Sequence, residues 1–256
     1  MSKHDRIYHY TSETQDFVFS REQDHRLPQD YQWIPDSALW KLGSGILYEI
    51  ARVFSRIFCE VHLHTRVKNR KVLRTCRNEG IFVYGNHTQP VADAFAPAIV
   101  LWPRRIYTVV SPANLGIPVL GPLLPMLGAL PIPDQMWQMK PFTQAIRERV
   151  AQKHCVIVYP EAHVWPYCTM IRDFPATALH YPVDCHAPCY AMTTTYQRRR
   201  WSKKPRATVY LDGPFYPDTT LRKKEQREKL RDEIYAAMKA RSRQSTYAYI
   251  KYIKEE

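Results

Sequence analysis

At 256 residues the chain is long enough for one sizeable domain, and 45% hydrophobic residues imply a folded core rather than a disordered polymer. A net charge of +13 points to anionic partners: a phospholipid surface, coenzyme A phosphates, an acidic carrier protein or nucleic acid. Six cysteines without a C-x-x-C pair argue against a disulfide framework or a zinc site, and for a reduced, cytoplasm-facing compartment with no resident metal or cofactor.

Residues 1–32 are polar and broken by charge throughout, which predicts a poorly ordered or loosely docked arm and no signal peptide. The domain proper is expected over 33–256. From Ser37 to Phe58 apolar residues recur at helical spacing (Leu39, Trp40, Ile46, Leu47, Ile50, Val53, Phe54, Ile57), with Lys41, Glu49, Arg52 and Arg56 elsewhere on the wheel. Two readings stand for residues 33–58: a helix packed on the core, or an amphipathic helix lying at a membrane interface. Gly43 and Gly45 are places where it could split. Val61 to Leu73 reads as a strand pair joined by the basic turn Lys68-Asn69-Arg70-Lys71.

Ile81-Phe82-Val83-Tyr84-Gly85 reads as a short buried strand. Asn86-His87-Thr88-Gln89 follows as a loop, and Pro90 suits the first position of a helix capped by Thr88 or Gln89. Asp93 then falls in or just after the first turn, where it can reach back to orient the His87 ring and leave the other ring nitrogen as a base. The residues alone equally allow His87 as a plain strand end and Asp93 as an ordinary first-turn acid.

Arg105–Val110 reads as the next strand. Val109 to Pro133 is uncharged, but Pro112, Pro118, Pro122, Pro125, Pro131 and Pro133 forbid a regular spanning helix. Within it, Leu115–Leu127 serves as core or as the wall of an acyl-chain tunnel. Pro141–Gln152 is an amphipathic helix with Phe142, Ala145, Ile146 and Val150 inward. Val156-Ile157-Val158-Tyr159 is a strand ending in Pro160-Glu161. Tyr190–Tyr196 and Ala207–Leu211 are strands around the basic loop 197–204, and Leu221–Lys254 reads as helical. Strands alternating with helices predict an α/β domain with a mixed central sheet flanked by helices.

The Asn86-His87…Asp93 and Tyr159-Pro160-Glu161 segments together resemble the glycerolipid acyltransferase family, of the 1-acylglycerol-3-phosphate or lysophospholipid acyltransferase type. Gly128-Ala129-Leu130-Pro131-Ile132 is similar to the family's acceptor segment, and Ala187-Pro188-Cys189-Tyr190-Ala191 to its last block. The blocks stand in the family's order over roughly residues 80–196. The resemblance implies acyl transfer from acyl-CoA or acyl carrier protein to a lysophospholipid hydroxyl. It makes His87 and Asp93 the catalytic pair and gives Asn86, Gly128, Pro160 and Glu161 substrate-binding roles. Arg172 or Lys140 would substitute for the arginine this sequence lacks, and His163, Arg172 and the Arg198-Arg199-Arg200 loop are the remaining cation sources. It implies a peripheral enzyme on the cytoplasmic side of a phospholipid membrane, with no nucleic-acid partner.

The sequence departs from the pattern in three places. Thr88, Gln89, Pro90, Val91 and Ala92 make the His87–Asp93 spacer one residue longer than usual, which on a continuous helix would set the two about 120° apart. Pro133-Asp134 stand where an arginine is usual. Ala162-His163 replace the Gly-Thr or Gly-Ser that normally follows Pro-Glu. With the acceptor positions altered, two rivals remain: a non-catalytic or different-acceptor lipid-binding protein on the same fold, and a basic nucleic-acid module. No ribonucleoprotein, zinc-finger or helix-turn-helix pattern supports the latter.

Overall fold

The computed structural model describes residues 6–18 and 24–255. Nine strands and five α-helices alternate along them: β1 (Arg6–Tyr10), α1 (Ala38–Ile57), β2 (Arg66–Lys68), β3 (Ile81–Gly85), α2 (Ala96–Val100), β4 (Ile106–Val110), β5 (Ala129–Pro131), α3 (Met139–Ala151), β6 (Cys155–Val158), α4 (His180–Cys185), β7 (Cys189–Gln197), β8 (Arg206–Phe215), α5 (Lys223–Ser242) and β9 (Ile250–Lys254). Seven of the strands form one sheet in the order β2-β8-β7-β3-β6-β4-β5, parallel throughout except for the antiparallel β7–β8 pair. The expected mixed α/β sheet is present.

β3 sits at the sheet's centre, and its continuous apolar run is that of a strand covered on both faces. Side chains alternate across a strand, so Phe82 and Tyr84 enter one layer with Val156, Phe142, Leu230 and Ile234. Ile81 and Val83 enter the other with Cys155, Ile157, Tyr48 and Leu101. Helices α3, α4 and α5 cover the first face, and α1 and α2 the second. The chain leaves β3, runs out to β4 and β5, returns as β6 beside β3, then crosses to β7 on β3's other side. The loops after β3 and β6 therefore open at adjacent carboxyl ends, where open α/β sheets place their ligands.

Helix α1 runs unbroken through Gly43 and Gly45, started by Ser37, whose hydroxyl accepts the Trp40 N–H at 3.3 Å. Its inward face is small and polar. Ser44 donates to the Met126 carbonyl at 2.7 Å, and the Tyr48 hydroxyl accepts the Ile106 N–H at 2.9 Å. The apolar residues Leu39, Leu42, Ile46, Ile50, Val53 and Ile57 lie on the other side and are exposed. A turn of π-helix, Phe58–His62, ends the element.

Four local expectations change. Only one short strand, β2, forms in 61–73. Asn69 follows it in the left-handed region (φ 61°), and Arg70–Arg74 is a 3-10 helix. The helix expected from Pro90 does not start there: Ala92–Ala94 is a single 3-10 turn, and α2 begins later, with Pro97 in its first turn. The chain's end is strand β9 rather than helix. It pairs in parallel with β1, so the supposedly loose arm is docked where it is described. Leu27 and Trp33 are buried, and the Trp33 indole donates to the Pro131 carbonyl at 2.9 Å. The parts of the arm at 1–5 and 19–23 lie outside the described residues. Among the described residues no helix is long and apolar enough to cross a membrane.

Candidate active site

His87 lies in the loop leaving β3, with Asp93 in the 3-10 turn that follows. The Asp93 Oδ2 is 2.8 Å from His87 Nδ1, and it also accepts the backbone N–H groups of Thr88 (3.0 Å) and Gln89 (2.9 Å). One carboxylate oxygen thus closes the loop on itself, which is how the longer spacer is absorbed. Asp93 caps the amides of Thr88 and Gln89, the reverse of the expected cap. With Nδ1–H held by a carboxylate, the lone pair of the ring falls on Nε2. His87 Nε2 has no partner among the described residues, and the His87 side chain is 21% exposed against 7% for Asp93.

Tyr159, at the end of β6, stacks on the His87 ring (centroids 4.5 Å apart, 21° between planes), and its hydroxyl donates to the Asp93 carbonyl at 2.8 Å. A Cβ on Gly85 would stand 2.7 Å from that tyrosine ring, so the glycine that ends β3 is what lets Tyr159 approach. Burial pushes the Tyr159 phenol well above its usual range, with the Asp93 charge adding to it. Tyr159 is therefore a neutral hydrogen-bond donor and stacking platform at any working pH.

The loop's remaining polar groups are also engaged. Asn86 bridges to β7, donating to the Thr194 carbonyl at 3.1 Å and accepting the Thr194 N–H at 2.8 Å. The Gln89 amide donates to the buried Tyr196 hydroxyl at 2.9 Å, and Thr88 Oγ1 donates to the Cys168 carbonyl at 3.0 Å. The carbonyls of His87 and Thr88 accept from the backbone of Trp165 (3.0 Å) and Tyr167 (2.8 Å). The amides of His87, Thr88 and Gln89 are all engaged, the first by Glu161 and the other two by Asp93, so none of these three is left for an oxyanion.

Glu161 is a positioning residue in this structure. Its Oε2 accepts the His87 N–H at 3.2 Å and the Arg172 guanidinium at 2.8 Å, and its Oε1 accepts the Arg172 N–H at 3.1 Å. The side chains of both are buried, at 3% exposure for Glu161 and 2% for Arg172. Burial raises the carboxyl above its usual range, and Arg172 is the chief opposing influence that favours the charged form. Against the expected contact with an acceptor, Glu161 and Arg172 are both turned inward and paired with each other, leaving Arg172 Nε buried without a partner among the described residues. Arg172 further donates to the carbonyls of Glu13 and His163 and lies over the Trp165 ring, while His163 pairs with Asp16. The N-terminal segment clasps this loop, and that clasp carries no motif in the sequence.

Pro160 shapes the turn between Tyr159 and Glu161. Ala162, where the family pattern has glycine, takes φ 62°, so the backbone keeps the glycine-like turn without the glycine. Gly128 is not brought to His87. It sits at the start of β5, at φ 95°, and a Cβ there would lie 2.4 Å from the Ile106 carbonyl at the start of β4. Its role is the close approach of two strands. Asp134 is exposed. β7 runs on from Met192, level with Gly85, to Gln197, so the basic 198–205 hairpin stands on the same edge of the sheet as His87. Tyr159 and Tyr196 were missed in the sequence. Only the position of Tyr159 beside Pro-Glu could have signalled the first, and nothing local signals the second.

No family model matches this sequence, and no curated protein does. Among solved structures the chain is similar to the crystal structure of the 1-acyl-sn-glycerophosphate (LPA) acyltransferase PlsC from Thermotoga maritima, at 13% identity and a TM-score of 0.56, over 78% of this chain and 81% of that one. The two proteins share a fold. At that identity the likeness speaks for the architecture, and the chemistry rests on the side chains described above.

Proposed function

We propose that the protein is an O-acyltransferase that moves a fatty acyl group from acyl-CoA or acyl carrier protein to the hydroxyl of a lysophospholipid, with 1-acylglycerol-3-phosphate as first choice. The observation that carries the proposal is the His87–Asp93 pair: Nδ1 held at 2.8 Å, Nε2 unpartnered, at the carboxyl edge of a sheet whose fold is shared with such an enzyme. In the reaction His87 Nε2 takes the acceptor's hydroxyl proton as that oxygen attacks the thioester carbon. The tetrahedral adduct collapses to the ester and expels the thiolate, which takes the proton from the imidazolium. Asp93 fixes the tautomer and offsets the imidazolium charge, with no protein nucleophile involved.

An anionic headgroup needs cations, and Arg172 and His163 are already engaged, by Glu161 and Asp16. The Arg198-Arg199-Arg200 run at the hairpin tip is a basic source on this edge, and Trp201 beside it is 86% exposed. The exposed apolar face of α1, together with the +13 charge, supports peripheral docking on the cytoplasmic face of an anionic membrane. The free thiols suit that compartment.

Thiol release from acyl-CoA, with mass-spectrometric product detection, tests the reading across lysophosphatidate, lysophosphatidylcholine, glycerol 3-phosphate and an uncharged alcohol. The highest kcat/KM is expected with lysophosphatidate. No release with any acceptor, alongside intact vesicle binding, would favour the non-catalytic lipid-binding reading instead.

A further inference from the structure

A polar cleft lies at the end of the sheet opposite His87. It opens between the first half of α1, the start of β4 and the end of α3, with a volume of about 270 Å³, and Trp40, Lys41, Ser44, Arg105, Tyr107 and Arg149 line it. That size suits a small polar group rather than an acyl chain. Arg105 and Cys155 precede and open the strands whose far ends lead toward the His87 side. Strands of this length span about 15 Å at 3.3 Å per residue, so the cleft is separate from the acyl-transfer site.

Three cations line the cleft and no carboxylate does. Arg105 lies over the Tyr48 and Tyr107 rings, at 4.7 and 5.5 Å, and Arg149 over the same Tyr107 ring, at 4.6 Å. Two guanidinium groups are thereby gathered around one aromatic ring with no counter-charge between them. Their hydrogen bonds go only to neutral acceptors: Arg105 to the Ser44 hydroxyl at 2.6 Å and the Met126 carbonyl at 3.1 Å, Arg149 to the Gln152 amide oxygen at 3.1 Å. The Nε atoms of both are buried and have no partner among the described residues. Unpartnered buried donors on converging cations are costly unless an anion completes them. The field is felt next door, where burial, aided by Arg149 and Arg105, lowers the His154 imidazole to about 4.

We propose that this cleft binds a phosphate group, held by Lys41, Arg105 and Arg149, at a site distinct from the one where acyl transfer occurs. The proposal goes beyond the acyltransferase reading and does not depend on it. The same chemistry is offered by free inorganic phosphate and by a phospholipid headgroup. The exposed apolar side of α1 adjoins the cleft, so a headgroup has a route to it.

Calorimetric titration of the full chain with inorganic phosphate at low ionic strength tests this. The wild type binds, and Lys41→Gln/Arg149→Gln, which keeps the side-chain stems at two outer positions, binds at least about tenfold more weakly. Arg105→Lys, which keeps the charge but loses the planar fork, is intermediate. Flotation on phosphatidylcholine vesicles with and without phosphatidic acid separates the sources. If the double variant loses the preference for phosphatidic acid, the site takes a lipid headgroup. If it loses only phosphate binding, the site takes the free ion. Equal phosphate binding by wild type and double variant, or none by the wild type, overturns the proposal. So does a joint loss of phosphate binding and thiol release, which would mean the cleft serves the reaction itself.

Discussion

The two ends of the central sheet are built on opposite electrostatic terms. At the carboxyl end every charge close to His87 is matched: Asp93 by His87 and two amides, Glu161 by Arg172 and two amides. At the amino end Arg105 and Arg149 share a tyrosine ring and find only neutral acceptors. A closed network holds its members in one geometry, which a proton-transferring histidine requires. An open cluster of cations instead stores unmet hydrogen-bonding capacity, which a ligand can meet.

The comparison breaks most visibly at His87. His87→Ala is expected to lower kcat for thiol release by about 10²–10⁴-fold while leaving the urea midpoint near that of the wild type, because among the described residues the ring's one hydrogen bond is to Asp93. Activity within about threefold of wild type in a folded variant would remove His87 from the chemistry. Next comes Arg172. Arg172→Met leaves a buried Glu161 carboxylate without its counter-charge, a change worth about 3–5 kcal/mol in urea unfolding. The double variant Arg172→Met/Glu161→Gln should recover part of that loss. It should not recover full activity, because a neutral amide is a weaker acceptor for the His87 N–H.

How much of this was legible follows from the range of each interaction. The strand-loop-Asp unit from Ile81 to Asp93 is local: its hydrophobic run and closing glycine predict the strand, and the family resemblance, despite the longer spacer, points to the His87–Asp93 pair. The inward turn of Glu161 and Arg172 is not local: it depends on Glu13, Asp16 and Trp165, which only the docked N-terminal segment brings near. β1 and β9 were missed for the same reason. They pair with each other across nearly the whole chain, and the short segments carrying Arg6, Lys251 and Lys254 look like a solvated arm and a helix end. Gly128 shows the converse error. A motif resemblance gave it an acceptor role, whereas the strand geometry at φ 95° accounts for it without one.

A smaller effect sharpens the carboxyl end. Ala162 holds φ 62° one residue after Glu161, a conformation that costs a side-chain-bearing residue about 1–2 kcal/mol. Ala162→Gly is expected to raise stability by about 0.5–1 kcal/mol, because glycine's greater unfolded-state entropy returns part of the gain. Thermal unfolding at fixed pH measures it. A destabilised variant would mean that the Ala162 methyl makes contacts worth more than the strain.

A last effect lies at the amino end and concerns pH. His154 is held at about 4 in the fold, against about 6.5 ordinarily, chiefly by burial and then by Arg149 and Arg105. Well above pH 6.5 the group is neutral in folded and unfolded chains alike and contributes nothing to the pH dependence. As pH falls from 6.5 toward 4 the unfolded chain takes up a proton that the folded chain does not, so stability declines through that window. His154→Gln removes the titrating group, and its urea midpoint should fall less between pH 7 and pH 4.5 than the wild type's. Saturating phosphate should likewise flatten the wild-type slope, because an anion between Arg105 and Arg149 offsets the charges that oppose protonation. Phosphate should leave the Lys41→Gln/Arg149→Gln slope unaltered. An equal phosphate effect in both proteins would locate the anion elsewhere and separate the His154 titration from the cleft.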